Sequence, residues 1–276
     1  MTNPLEYFLH WEKAFPNDII FRQAAGTGWK TWTHQQAGDE IRKIAAYLKS
    51  LNLPAHSKIA ILSKNCPHWV MADLAIMMSG HVSVPLYPTL HPEAVHDILV
   101  HSEAKAIFIG KLDDYKSQLQ GGPALFKIGI EAYGVSEVES WEKVVSSTAP
   151  LSSWVTLNPE DIMTIVYTSG TTGNPKGVMH AFKSFHATLT VARKELSFPE
   201  RPRLFSYLPM SHIAERIGIK LWGCFSALSF PFQNLWKPFP EISQKLSPAT
   251  FSLFPEYGPS FRKKSWRKFQ NQNSAD

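Results

Sequence analysis

Tyr167-Thr168-Ser169-Gly170-Thr171-Thr172-Gly173-Asn174-Pro175-Lys176-Gly177-Val178 is the densest motif of the chain. It follows an apolar run, Asp161–Thr168, that reads as a buried strand, and a helical pattern extends behind it from about Ala181 to Leu196. One turn gathers four hydroxyls, three glycines and a lysine. Glycines let backbone N–H groups approach an anion, hydroxyls add donors, and lysine adds charge. A strand–loop–helix arrangement would also aim the positive end of a helix at that anion, so phosphate is the expected guest. Pro175 stiffens the loop by fixing its own φ. The spacing is not that of a P-loop NTPase. Gly173 lies three residues before Lys176, and Gly177 stands where a Ser or Thr should hold magnesium.

Outward from the motif, helical and strand patterns alternate. Thr33–Leu51 reads as a helix with Thr33 as its cap and Ile41, Ile44, Ala45 and Leu48 on one face. Lys58–Ser63, Val82–Tyr87 and Ala106–Ile109 are short apolar runs of strand length. Helices are expected at about Trp69–Ser79 and Glu93–Ser102, and a short one at Ser136–Val145. A further strand is expected at Arg203–Leu208 after the motif's helix. Strands apolar throughout, joined through helices by short Gly/Pro-marked turns, indicate βαβ units with a mostly parallel sheet and covering helices. The fold class is α/β.

Composition bounds the function. The 276 residues are 44% hydrophobic and 18% charged, a globular balance that buries a core without metal or disulfide staples. Two cysteines, Cys66 and Cys224, suit a reducing compartment. Met1–Phe8 lacks the basic and apolar regions of a secretory signal. The most apolar window, Trp69–Met78, is broken by Asp73 and is shorter than the ~20 residues of a membrane span. These features predict a soluble, cytoplasmic protein. Of the net charge of +5, four units fall in residues 221–276, so the body is near neutral and no nucleic-acid partner is expected.

The Tyr167–Val178 run resembles the phosphate-binding signature of the adenylate-forming (AMP-binding) superfamily, which includes acyl- and aryl-CoA synthetases, luciferases and peptide-synthetase adenylation domains. Leu208-Pro209-Met210-Ser211-His212-Ile213-Ala214-Glu215-Arg216 resembles the family's next motif, in a form most like long-chain fatty acyl-CoA synthetases. Trp32-Thr33, Ile59–Leu62 with Asn65, and Gly80 before Val84–Pro88 agree, so the resemblance covers about residues 5–220. It implies the N-terminal part of the large domain of such an enzyme. The activity implied is ATP-dependent conversion of a fatty acid to acyl-adenylate and then, with CoA, to acyl-CoA.

On the same resemblance, Thr168, Ser169, Gly170, Thr171, Thr172, Gly173 and Lys176 hold the β- and γ-phosphates, and Thr171 or Thr172 touches Mg2+. His212 lies beside the acyl carboxylate. Glu215 and Arg216 form a structural ion pair or take part in catalysis. Another aryl or medium-chain ligase, or a non-catalytic interaction fragment, is the alternative.

Residues 221–276 depart from this pattern. They hold six prolines, eight of the 17 phenylalanines and no defensible period. The family's aromatic-Gly-x-Thr-Glu motif, which supplies an acidic magnesium ligand, is missing, since Tyr257-Gly258-Pro259-Ser260-Phe261 lacks the acid and is not counted as a match. The ribose-gripping Gly-Asp element and the C-terminal catalytic lysine are also missing, so a truncated chain with little or no ligase activity is expected. Reading permitted codons of Gln233–Pro248 from each third base allows Glu-Ser-Leu-Glu-Thr-Phe-Ser-Arg-Asp-Ile-Ala-Lys-Val-Lys-Pro, which has helical apolar spacing and looks like the family. A frame change between about Lys220 and Gln233 would explain the whole tail. The competing reading makes Arg262–Lys268 a basic aromatic patch for nucleic acid or peripheral membrane contact.

Overall fold

The computed structural model describes residues 2–25, 27–168, 175–195, 206, 209–213, 215–216 and 230–232. Its elements follow in chain order as α1 (Pro4–Ala14), β1 (Ile19–Ala25), β2 (Gly28–Thr33), α2 (His34–Ser50), β3 (Lys58–Leu62), α3 (Pro67–Met78), β4 (Val82–Leu86), α4 (Pro92–His101), β5 (Ala106–Ile109), α5 (Tyr115–Gln118), β6 (Phe126–Gly129), β7 (Glu139–Ser140), α6 (Trp141–Ser147), β8 (Ile162–Thr168), β9 (Lys176–Ala181), α7 (Phe182–Glu195) and β10 (Phe230–Phe232). A seven-stranded sheet has the order β7-β6-β5-β3-β4-β8-β9, parallel throughout except for the β8–β9 hairpin. A small sheet, β10-β1-β2, pairs β1 antiparallel with β2 and parallel with β10.

The central strands are apolar on both faces because both are covered. Ile59, Ile61, Ala106 and Phe108 face a core shared with α1, α2, α3 and α6, while Ala60, Leu62, Ile107 and Ile109 face a second core beneath α4. Helix α3 is buried along its whole length, which accounts for its apolar residues at every phase of the turn. Helix α2 begins with a reciprocal capping box, the Thr33 hydroxyl accepting from Gln36 N–H and the Gln36 side chain accepting from Thr33 N–H. A bidentate ion pair, Arg42 to Glu12 at 2.9 and 2.5 Å, ties α2 to α1. Among the described residues no helix is long and apolar enough to cross a membrane.

Two expectations are corrected. The loop after β8 is followed by strand β9, not by a helix. Residues Lys176–Ala181 turn back along β8, from Lys176 opposite Thr168 to Ala181 opposite Ile162. Helix α7 therefore starts at the far end of β8, roughly 20 Å of strand away from the loop. Its first N–H groups are already used there: Phe182 donates to Asp161 O at 3.1 Å and Lys183 to Pro159 O at 2.8 Å. The helix dipole cannot serve the loop. The short helix expected at Ser136–Val145 begins instead at Trp141, behind β7. The strand expected at Arg203–Leu208 lies outside the described residues apart from Ser206.

Candidate phosphate-binding site

Parallel α/β sheets bind ligands beyond the carboxyl ends of their strands, and β8 delivers the motif to that edge. Thr168 ends β8 and Lys176 opens β9, and the two are cross-strand partners with exposed side chains. Directly opposed residues share one face of the sheet, so a hydroxyl and an ammonium stand side by side at the mouth of the loop. Ser169, Gly170, Thr171, Thr172 and Gly173 lie outside the described residues.

The base of the loop is anchored. Tyr167 is buried, and its hydroxyl meets His101 Nδ1 at the end of α4 at 2.7 Å. Burial pushes the phenol's pKa up, so it stays protonated. Opposite Tyr167 stands Gly177, where a Cβ would come within 2.7 Å of Ile165 Cγ2 and 3.1 Å of Tyr167 Cζ. This glycine serves close approach, since the Ile165 side chain and the tyrosine ring fill the space a side chain would need.

His212 sits on a separate turn, with its own side chain exposed. His212 N–H donates to Pro209 O at 2.8 Å, and Arg216 N–H donates to His212 O at 3.1 Å. Asn65, just past β3, grips the start of this segment: its Oδ1 accepts from Met210 N–H at 2.9 Å and its Nδ2 donates to Ser206 Oγ at 2.7 Å. Arg216 grips the other end. Its guanidinium donates to Asp73 Oδ1 of α3 at 2.5 Å, to Ser83 Oγ of β4 at 2.5 Å, and to Thr164 Oγ1 of β8. It also lies 5.6 Å from the centre of the Trp69 ring.

Burial lowers the Arg216 pKa, and the Asp73 carboxylate pushes it back up. Burial also lowers the pKa of His180, opposite Thr164 on β9, with the Arg216 charge adding to the effect. The acid of the arginine's ion pair is Asp73, at 2.5 Å. Asp73 is the charged residue that interrupts the apolar run of α3, fully buried. A lone acid in an otherwise apolar helix was the signal for this pair. Asn65 was marked only by the resemblance, with no sign of its partners.

A cavity of about 580 Å³ opens at the opposite, amino-terminal edge of the sheet, lined by His56, Gly80, His81, Val155 and Asp161 among others. It includes none of the motif residues.

The family model described as AMP-binding enzyme matches residues 8–257. Long chain acyl-CoA synthetase 6, a peroxisomal protein of Arabidopsis thaliana, is 31% identical over 242 residues, covering 82% of this chain and 34% of that protein. Long-chain-fatty-acid–CoA ligase FadD15 of Mycobacterium tuberculosis is 30% identical over 223 residues, covering 74% of this chain and 36% of its own length. The chain thus spans about a third of the length of the curated relatives it matches. Among solved structures, the inhibitor-bound N-terminal domain of FACL13 from Mycobacterium tuberculosis superposes with a TM-score of 0.74 at 21% identity, over 88% of this chain and 60% of that one. That likeness is one of fold.

Proposed function

The chain belongs to the AMP-binding enzyme family, and from that premise we propose that its Thr168–Lys176 loop grips the β- and γ-phosphates of ATP while a long-chain fatty acid is activated beside His212. A carboxylate oxygen attacks the α-phosphorus and pyrophosphate leaves, giving the acyl-adenylate. The thiolate of CoA then attacks the acyl carbonyl and AMP leaves, giving the thioester. The relatives named as long-chain acyl-CoA synthetases support this substrate class.

The observation that carries the reading is the pairing of Thr168 with Lys176 at the carboxyl edge. Charge on departing pyrophosphate needs fixed donors and a cation more than it needs covalent chemistry. Lys176 supplies the charge, and Thr168 with Ser169, Gly170, Thr171, Thr172 and Gly173 supplies the donors. Hydroxyl and phosphate oxygens are the hard ligands Mg2+ takes, and Thr171 or Thr172 would hold it there, where it would neutralise phosphate charge. His212, exposed on its clamped turn, faces the acyl carboxylate. The protein acts in the cytoplasm or at a membrane surface on this reading.

Protection from chemical modification tests it. MgATP should slow acetylation of Lys176, and a non-hydrolysable long-chain acyl-adenylate should slow diethylpyrocarbonate modification of His212 more than medium-chain or aryl analogues do. A folded chain in which neither residue is protected would refute the proposal. Stronger protection by an aryl analogue would change the substrate class.

A further inference from the structure

We propose that Arg216 is a positioning residue, locking the His212 turn to strand β8 so that His212 and the loop that opens at Thr168 keep one fixed relation. The proposal rests on the reading that both serve a single site. Its basis is the placement of the guanidinium's partners. Asp73, Ser83 and Thr164 come from α3, β4 and β8, three elements of the rigid core, and the side chain of Arg216 is 1% exposed. Thr164 is the critical partner, because it lies on the strand that carries Thr168. One backbone hydrogen bond, Arg216 N–H to His212 O, passes the constraint to the turn.

A buried ion pair is a poor device for stability alone, since well-packed apolar residues of similar volume often do as well. What apolar packing lacks is direction. A guanidinium fork fixes the angle and distance of several oxygens at once. The alternative is that Arg216 only fills and neutralises the core around Asp73. The two differ in what happens when the pair is replaced as a unit.

The test uses the full chain with Cys66 and Cys224 replaced and spin labels at Met179→Cys on β9 and His212→Cys, read by pulsed electron resonance. The distance distribution between the hairpin and the turn should be single and narrow. In Asp73→Leu/Arg216→Met it should broaden about twofold while the melting temperature stays near that of the parent. Thr164→Val, which keeps shape and removes the link from Arg216 to β8 together with the Thr164 Oγ1–H bond to Ser83 O, should broaden it too and carries the test if the double variant does not fold. A parent-like narrow distribution in either folded variant would overturn the proposal. Magnesium pyrophosphate binding, measured on the same chain without labels, reports separately on the phosphate-site reading: a narrow parent distribution that the variants lose supports the positioning role whether or not pyrophosphate binds.

Discussion

The Tyr167 hydroxyl and His101 Nδ1 stand 2.7 Å apart with their rings perpendicular, so the last buried residue before the phosphate loop is held from the end of α4. Replacing Tyr167 by Phe keeps the ring and removes the hydrogen bond. The expected cost is about 1 kcal/mol in urea denaturation. The expected effect on pyrophosphate affinity is larger than that of an equally destabilising change remote from the loop. Equal effects would mean that the contact only stabilises the core.

Gly177 is predicted to be intolerant of even a methyl group. A Cβ there would lie 2.7 Å from Ile165 Cγ2, on a β-branched side chain with little rotamer freedom. Gly177→Ala should destabilise by about 1–3 kcal/mol, the usual cost of overpacking. Gly121, where nothing lies within 4 Å but φ is +69°, is the comparison: its alanine variant should suffer from backbone strain alone and leave the loop untouched. Thermal melts and pyrophosphate titration of both variants check this.

His68 makes stability depend on pH in a defined direction. It is enclosed by Trp32, Tyr133 and Trp141, with Tyr133 Oη 3.0 Å from Nδ1. Burial, with a smaller push from the Lys30 charge, lowers its pKa to about 3 from the ordinary 6.5. The unfolded chain therefore takes up the proton first as pH falls. The stability from keeping His68 neutral is complete above about pH 6.5 and drains away between there and about pH 3, with about 2 kcal/mol gone by pH 5. His34, His81 and His180 are lowered by burial too and act with the same sign. Denaturation of wild type and His68→Gln across pH 5–8 should show a shallower slope in the variant. Matching slopes would remove His68 from the account.

Residues 221–276 carry the proposal of a frame change, resting on lost periodicity and on the family-like peptide in the other frame. The family match runs to residue 257, beyond the boundary of 220 read from the motifs, and Phe230–Phe232 pairs with β1. Sequencing genomic DNA and transcript across codons 210–276 decides between these. The proposal expects another frame that continues into an aromatic-Gly-x-Thr-Glu motif; a closed frame with a confirmed transcript would end it.

Much of the fold was legible because the βαβ body follows local rules. Thr33 marked the start of α2, and the helices expected at about Trp69 and Glu93 are α3 and α4, which open one or two residues earlier at Pro67 and Pro92. The continuous apolar runs at β3, β4 and β5 mark strands covered on both faces. Strand β9 was not legible, because an edge strand with mostly exposed residues carries neither alternation nor an apolar run. That omission placed the helix at the wrong end of β8. The small sheet was missed as well, since β2 is exposed along most of its length. For the site, Thr168 and Lys176 stood out by residue type and spacing, and His212 by the resemblance of its motif to the family's. Asp73 was marked as a lone acid in an apolar run, but Ser83 and Thr164 acquire their roles only through contacts with Arg216 from a distant part of the chain, which no local pattern encodes.

The central claim is that the Thr168–Lys176 hairpin tip is a phosphate site. Titration calorimetry of the folded chain with magnesium pyrophosphate, beside Lys176→Gln, tests it most directly. The account predicts saturable binding to the wild type that weakens at moderate salt and falls about tenfold or more in the variant, the loss of one charge-assisted hydrogen bond. No binding to a folded wild type, or equal binding to both proteins, would contradict it.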